Sequence, residues 1–120
     1  MRDFRKLEVW SKSHRFTLKV YKLTQEFPQN EKYGLISQLR RASASIPANL
    51  AEGGGRESDG DFRRFVEIAG GSACEVEYHL LLAKDLGLLD QDTYERFDLQ
   101  INEIKKMLGA LARRLRTNPT

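Results

Sequence analysis

Apolar residues recur at spacings of three and four over four separate stretches of the chain, and nowhere alternate one by one. That pattern predicts four amphipathic helices and no sheet. The last stretch is the most regular. Tyr94, Phe97, Ile101, Ile104, Leu108, Leu111 and Leu115 keep the period without a miss, predicting a helix over about 90–116 that packs in coiled-coil fashion. A third helix, over about 58–86, follows from Phe62, Phe65, Val66, Ala69, Ala73, Val76, Leu80, Ala83 and Leu86. Ser58 is its N-cap, with Asp59 and Asp61 meeting the positive end of the helix dipole. The second, over about 33–55, carries Leu35, Leu39, Ala42, Ile46, Asn49 or Leu50, and Gly53 on one face. The first, over about 7–27 and stopped by Pro28, has Val9, Phe16, Val20, Leu23 and Phe27 as its core row. Four long helices with short connections make an all-α, up-down-up-down four-helix bundle in a single domain spanning 1–120.

Local features refine this picture. Pro47 cannot donate to the carbonyl of Ser43, so the second helix is either kinked there or split into two short helices at Ile46. Ser43 and Ser45 stand ready to satisfy the freed backbone groups. Gly53-Gly54-Gly55 reads as a left-handed helix stop. The six small residues Ala69 to Cys74 in the third helix read as a site where another backbone crosses closely, because two mid-helix glycines cost roughly 1 kcal/mol each relative to alanine.

The polar side of the first helix is unusual. On a helical wheel Arg5, Lys12, Arg15, Lys19 and Lys22 share one sector roughly 100° wide, with Glu8 intruding at one end of the helix. Trp10, Thr17, Leu18 and Tyr21 form a second apolar patch that a single bundle core does not require, which points to a subunit interface. Arg40 and Arg41 lie off the apolar face of the second helix. They are a solvated or ion-paired couple, a phosphate-binding pair or an interface clamp.

Composition excludes more than it assigns. The chain has 120 residues, 40% hydrophobic and 31% charged, with a net charge of +3, as expected of one soluble globular domain. Residues 1–30 hold seven Lys/Arg against three Asp/Glu, and residues 58–89 hold three against six. This asymmetry either docks the first segment on the third or leaves a positive face for a polyanion. No apolar run is long enough to cross a bilayer, and no secretory signal opens the sequence. Cys74, the single cysteine, reads as a buried structural thiol in a cytoplasmic protein. The spacing of Cys74 and His79 turns their side chains apart, so no zinc site follows. Gly53-Gly54-Gly55-Arg56 lacks the Lys-Ser/Thr pair and the preceding strand of a phosphate loop. No nucleophile elbow is present. No catalytic residue, cofactor or metal is therefore expected.

Three segments carry a resemblance: Leu7-Glu8-Val9-Trp10, KYGLISQLRRASASIPANLAEGGGR from Lys32 to Arg56, and DFRRFVEIAGGSACEVEYHLLLAKDLGLL from Asp61 to Leu89. Together they resemble the bacterial four-helix-bundle proteins encoded in intervening sequences of 23S ribosomal RNA genes, also called S23 ribosomal proteins. His79 departs from the plain polar residue usual there. The resemblance implies a non-enzymatic, cytosolic bundle assembled as a ring-shaped homopentamer, in agreement with the second apolar patch. A more distant likeness is to the basic pentameric accessory protein of diversity-generating retroelements, which binds nucleic acid and a reverse transcriptase. Two functions stay open. One is binding of RNA or DNA through Arg5, Lys12, Arg15, Lys19, Lys22, Arg40 and Arg41. The other is a protein-interaction scaffold, for example an accessory subunit of a nucleic-acid-processing enzyme. A catalytic bundle is the remote third.

Overall fold

The computed structural model describes residues 2–116, apart from the side chains of Lys32 and Tyr33. The tail Thr117–Thr120, where fraying is expected, lies outside the described residues. Four helices follow in order: α1 (Glu8–Thr24), α2 (Ser37–Gly54), α3 (Asp59–Asp85) and α4 (Gln91–Arg116). Consecutive helices pack on one another and α4 returns against α1, leaving α1 and α3 on the diagonal. The bundle measures 47 × 22 × 19 Å. Its core is built from Phe16, Val20, Leu39, Ile46, Leu50, Phe62, Val66, Val76, Leu80, Ile101 and Ile104, all essentially sealed from solvent. Phe16 and Phe97 meet edge to face at 5.8 Å, tying α1 to α4. The third helix opens as expected, and the fourth is capped in the same way. Ser58 Oγ accepts from the Asp61 N–H at 3.0 Å, and Asp90 Oδ1 accepts from the Thr93 N–H at 2.7 Å. That bond holds the Asp90 carboxyl below its usual range. Lys105 Nζ donates to Glu77 Oε1 at 2.7 Å across the α3–α4 seam, pushing the carboxyl down and the ammonium up.

Helix α2 begins later than the periodicity indicates. A wide turn over Lys32–Ile36 breaks helical geometry at Gly34 (φ −105°, ψ −107°), and the Glu31 carboxylate caps it by accepting from the Leu35 N–H. From Ser37 the helix runs unbroken through Pro47. The carbonyl that Pro47 leaves free is not satisfied by Ser43 or Ser45. Thr17 Oγ1 on α1 donates to Ser43 O at 3.0 Å, besides its contact to Ser13 O at 2.8 Å in its own helix. Thr17 is therefore buried between α1 and α2, and its assignment to a subunit interface is corrected.

The glycines also change meaning. Gly53 and Gly54 are still helical, and Gly55 keeps a right-handed backbone (φ −83°, ψ −4°), so the left-handed stop expected there is absent. Gly53 is glycine for lack of room: a Cβ would stand 2.7 Å from Phe65 Cβ and 2.8 Å from Phe62 Cδ1. Gly53→Ala is accordingly expected to lower the denaturation midpoint, by about 1–3 kcal/mol of stability, as overpacking does. Gly87 (φ 80°) supplies the left-handed turn, after α3, where Leu88 N–H bonds Ala83 O and Gly87 N–H bonds Lys84 O, both at 2.9 Å. Within the small block of α3, Ala69 and Ala73 are buried, but a Cβ on Gly70 or Gly71 would meet nothing within 4 Å. No backbone among the described residues crosses there. Cys74 is exposed, not buried.

Candidate nucleic-acid interface

The basic sector lies on α1 beside α4. Lys12 Nζ bridges to Glu103 Oε2 at 2.6 Å, which lowers the Glu103 pKa. Lys19 Nζ reaches Gln100 Oε1 at 3.3 Å and Arg15 Nη1 reaches Ser11 Oγ at 2.6 Å. Lys22 is exposed, with no such partner among the described residues. Arg15, Lys19 and Lys22 thus form a run of cations with no acid partner among the described residues, and Lys12 is largely neutralised. A groove of about 270 Å³ follows the run, lined by Lys12, Arg15, Phe16, Lys19, Gln100 and Ile104. From Lys12 to Lys22 the ledge is about 15 Å long at 1.5 Å per residue. A surface of this kind holds phosphates as point charges and reads no base edges.

The other candidate cations stand elsewhere. Arg5 sits in the 3-10 turn Phe4–Lys6 that precedes α1. Its guanidinium lies 4.6 Å from the Phe4 ring centre and 3.6 Å from the Asp3 carboxylate. Arg40 caps the C-terminal end of α1: Nε donates to Thr24 Oγ1 at 2.7 Å and Nη2 to Tyr21 O at 3.2 Å. The guanidinium also covers the Tyr21 ring at 4.7 Å, so charge, helix dipole and ring quadrupole act together. Arg41 clamps α2 to α3 through Glu75 and bonds Gln38 Oε1 at 2.8 Å. Arg40 and Arg41 hold helices together, and the structure does not bring them to the α1 ledge. Recognising this needs the end of α1 placed beside α2, which no local pattern in the sequence carries.

The apolar flank of α1 is partly as expected. Leu18 is 57% exposed and Tyr21 42%. Trp10 is half-buried, stacked on His14 with ring centres 5.0 Å apart and planes 9° from parallel, and met edge-on by Phe4. No cluster of three or more His, Cys, Asp or Glu able to hold a metal occurs among the described residues. Nor is any described helix long and apolar enough to cross a membrane.

His79 is a feature that sequence periodicity passed over. Its Nδ1 is buried without a hydrogen-bond partner, 3.9 Å from Glu75 Oε2. Burial pushes the imidazole pKa down, Glu75 opposes this and Arg41 adds to it. Unfolding therefore takes up a proton, and stability falls as pH drops from just above the unfolded histidine value, about 6.5, towards the lower folded value. The expected result is a denaturation midpoint that declines between about pH 7 and pH 5, with a shallower decline in His79→Gln.

Comparison with known proteins agrees with this architecture. Residues 5–110 match the family described as 23S rRNA-intervening sequence protein. A crystal structure of a protein of unknown function from the S23 ribosomal protein family of Bacteroides thetaiotaomicron VPI-5482 superposes with a TM-score of 0.82. The two are 28% identical, over 88% of this chain and 95% of that one. No curated protein matches. The chain thus belongs to the 23S rRNA-intervening sequence protein family.

Proposed function

We propose that this chain is a non-enzymatic, cytoplasmic nucleic-acid-binding protein that works as a homo-oligomer and holds RNA by its phosphates. The observation that carries the reading is the run Arg15, Lys19 and Lys22, three cations in a row without acid partners among the described residues. Several cations elsewhere on the bundle are matched, as in Arg2–Asp59, Lys105–Glu77 and Arg116–Glu67. Arg5 and Lys12 extend the ledge at one end; Lys12 first has to leave Glu103. Self-association through Trp10, Leu18 and Tyr21, as the homopentameric ring that the family resemblance implies, would repeat the ledge around the particle and multiply a net charge that is only +3 per chain. Titration of a fluorescent single-stranded RNA at two salt concentrations tests this. Binding should be clear at low salt, fall steeply as salt rises, and show little dependence on sequence. Absence of binding at low salt would defeat the reading. The exposed apolar residues of α3, Tyr78 and Ile68 among them, are what favour the scaffold alternative, which a defined protein partner recovered in the presence of nuclease would support.

A further inference from the structure

We infer that the groove between α1 and α4 takes single-stranded rather than duplex RNA, with one unstacked base laid in an apolar pocket where the basic ledge ends. This rests on the phosphate binding proposed above and names the form of nucleic acid that the same site prefers. The α1–α4 seam is the most loosely packed of the four between neighbouring helices, and two hollows lie along it. The one already described runs beside Lys12, Arg15 and Lys19. The second, of about 420 Å³, opens between Leu7 and Val9 at the start of α1 and Met107 and Leu111 on α4. The two helices run antiparallel. Going back along α1 from Lys12 to Val9 therefore matches going forward along α4 from Ile104 to Met107, about 4.5 Å in each case. The hollows are consecutive stretches of one groove. Lys12 stands at their junction and meets Glu103 across the seam at 2.6 Å.

The two stretches offer different chemistry. The first presents cations. The second has an apolar floor: Val9 and Leu111 are buried, and Leu7 and Met107 are half-buried against the core. Ala110 is exposed and, having only a methyl group, leaves the space above open. The rim is charged, with Lys6 and Arg114 outnumbering Glu8. An uncharged apolar partner would make no use of that rim, and a bare phosphate would leave the floor wet. A nucleotide satisfies both, because its flat base is tethered to an anion. The base face packs on the aliphatic floor and on the Met107 thioether, which is favourable beside an aromatic ring. Its own phosphate meets the rim, and the next ones along the strand meet Lys12, Arg15 and Lys19. A paired base has both faces stacked within the duplex and does not enter. Charge alone argues the opposite preference, since a duplex releases more counterions per phosphate contact than a single strand. Selection of the single strand is thus a signature of the pocket and not of the ledge.

The test measures binding of end-labelled RNA by fluorescence anisotropy at one low salt concentration. It compares a short single strand, the corresponding duplex, and an abasic strand of equal length and charge. The native protein should bind the single strand about tenfold more tightly than either of the others, as one stacked base contributes. The salt slope should be the same for the two single strands. Ala110→Leu, at an exposed helical position, should fill the hollow and abolish the preference while leaving that slope and the denaturation midpoint unchanged. Arg15→Gln with Lys19→Gln should do the reverse, lowering the slope and keeping the tenfold ratio. RNA binding in which the duplex or the abasic strand holds as tightly as the single strand would overturn the pocket and leave the phosphate ledge standing. A preference that survives Ala110→Leu would overturn it as well, by placing the base elsewhere. So would a native mass lowered by Ala110→Leu, which would give the groove to a second copy of the chain. Absence of RNA binding at low salt would remove pocket and ledge together.

Discussion

Replacing Arg15, Lys19 and Lys22 together by glutamine should weaken binding of single-stranded RNA about 100-fold at 0.1 M salt, if each cation meets one phosphate. The logarithmic salt dependence should become shallower by about 2 at the same time, since each phosphate contact on a single strand contributes about 0.7 to the slope. The fold has no reason to change. The three side chains are exposed, and their partners among the described residues are only Ser11 and Gln100. A control with Arg40→Gln and Arg41→Gln should behave differently. It removes the cap of α1 and the clamp to Glu75, so its effect is on thermal stability rather than on the salt slope. Equal loss of RNA affinity in both variants would mean that the ledge on α1 is not the binding surface.

The second large effect is expected in the core. Thr17→Val should lower stability by about 1–3 kcal/mol, the range for a buried polar group deprived of its partner. Valine matches threonine in shape, so the loss would report the hydroxyl that serves the Ser43 carbonyl at 3.0 Å. That carbonyl needs an outside donor only because residue 47 is proline. In a Pro47→Ala background the alanine N–H takes over, and Thr17→Val should then cost less than about 1 kcal/mol. The quantity to measure is the coupling between the two substitutions in a double-mutant cycle read by chemical denaturation. Additive effects would show that Thr17 and Pro47 act independently.

How far the sequence is legible depends on how local the deciding contact is. The row of α4 is largely legible, because periodicity reports directly which side of a helix faces the core: Phe97, Ile101, Ile104, Leu108 and Leu111 are buried, and Tyr94 and Leu115 at its two ends pack against the core while half-buried. Helix caps at Ser58 and Asp90 are equally visible, being bonds to residues three positions on. Thr17 fails for the opposite reason. It sits at the boundary between the core row of α1 and its outer patch, and only the position of α2 decides that it is covered. Gly53 looks like a helix stop until Phe62 and Phe65 of α3 are placed against it. The block Ala69–Cys74 signals a close crossing, but one chain provides none at Gly70 and Gly71. The basic ledge is visible as a wheel sector. Its division into a neutralised Lys12 and an unpaired Arg15–Lys22 run depends on Glu103, more than eighty residues away.

Light-scattering mass of the native particle tests most directly the claim that α1 meets solvent on its lysine-rich flank alone. If a neighbouring copy covers Leu18 and Tyr21, the mass is a multiple of the 13.8 kDa of one chain, fivefold for the ring. A mass of one chain at working concentration would leave those side chains in water and contradict the account.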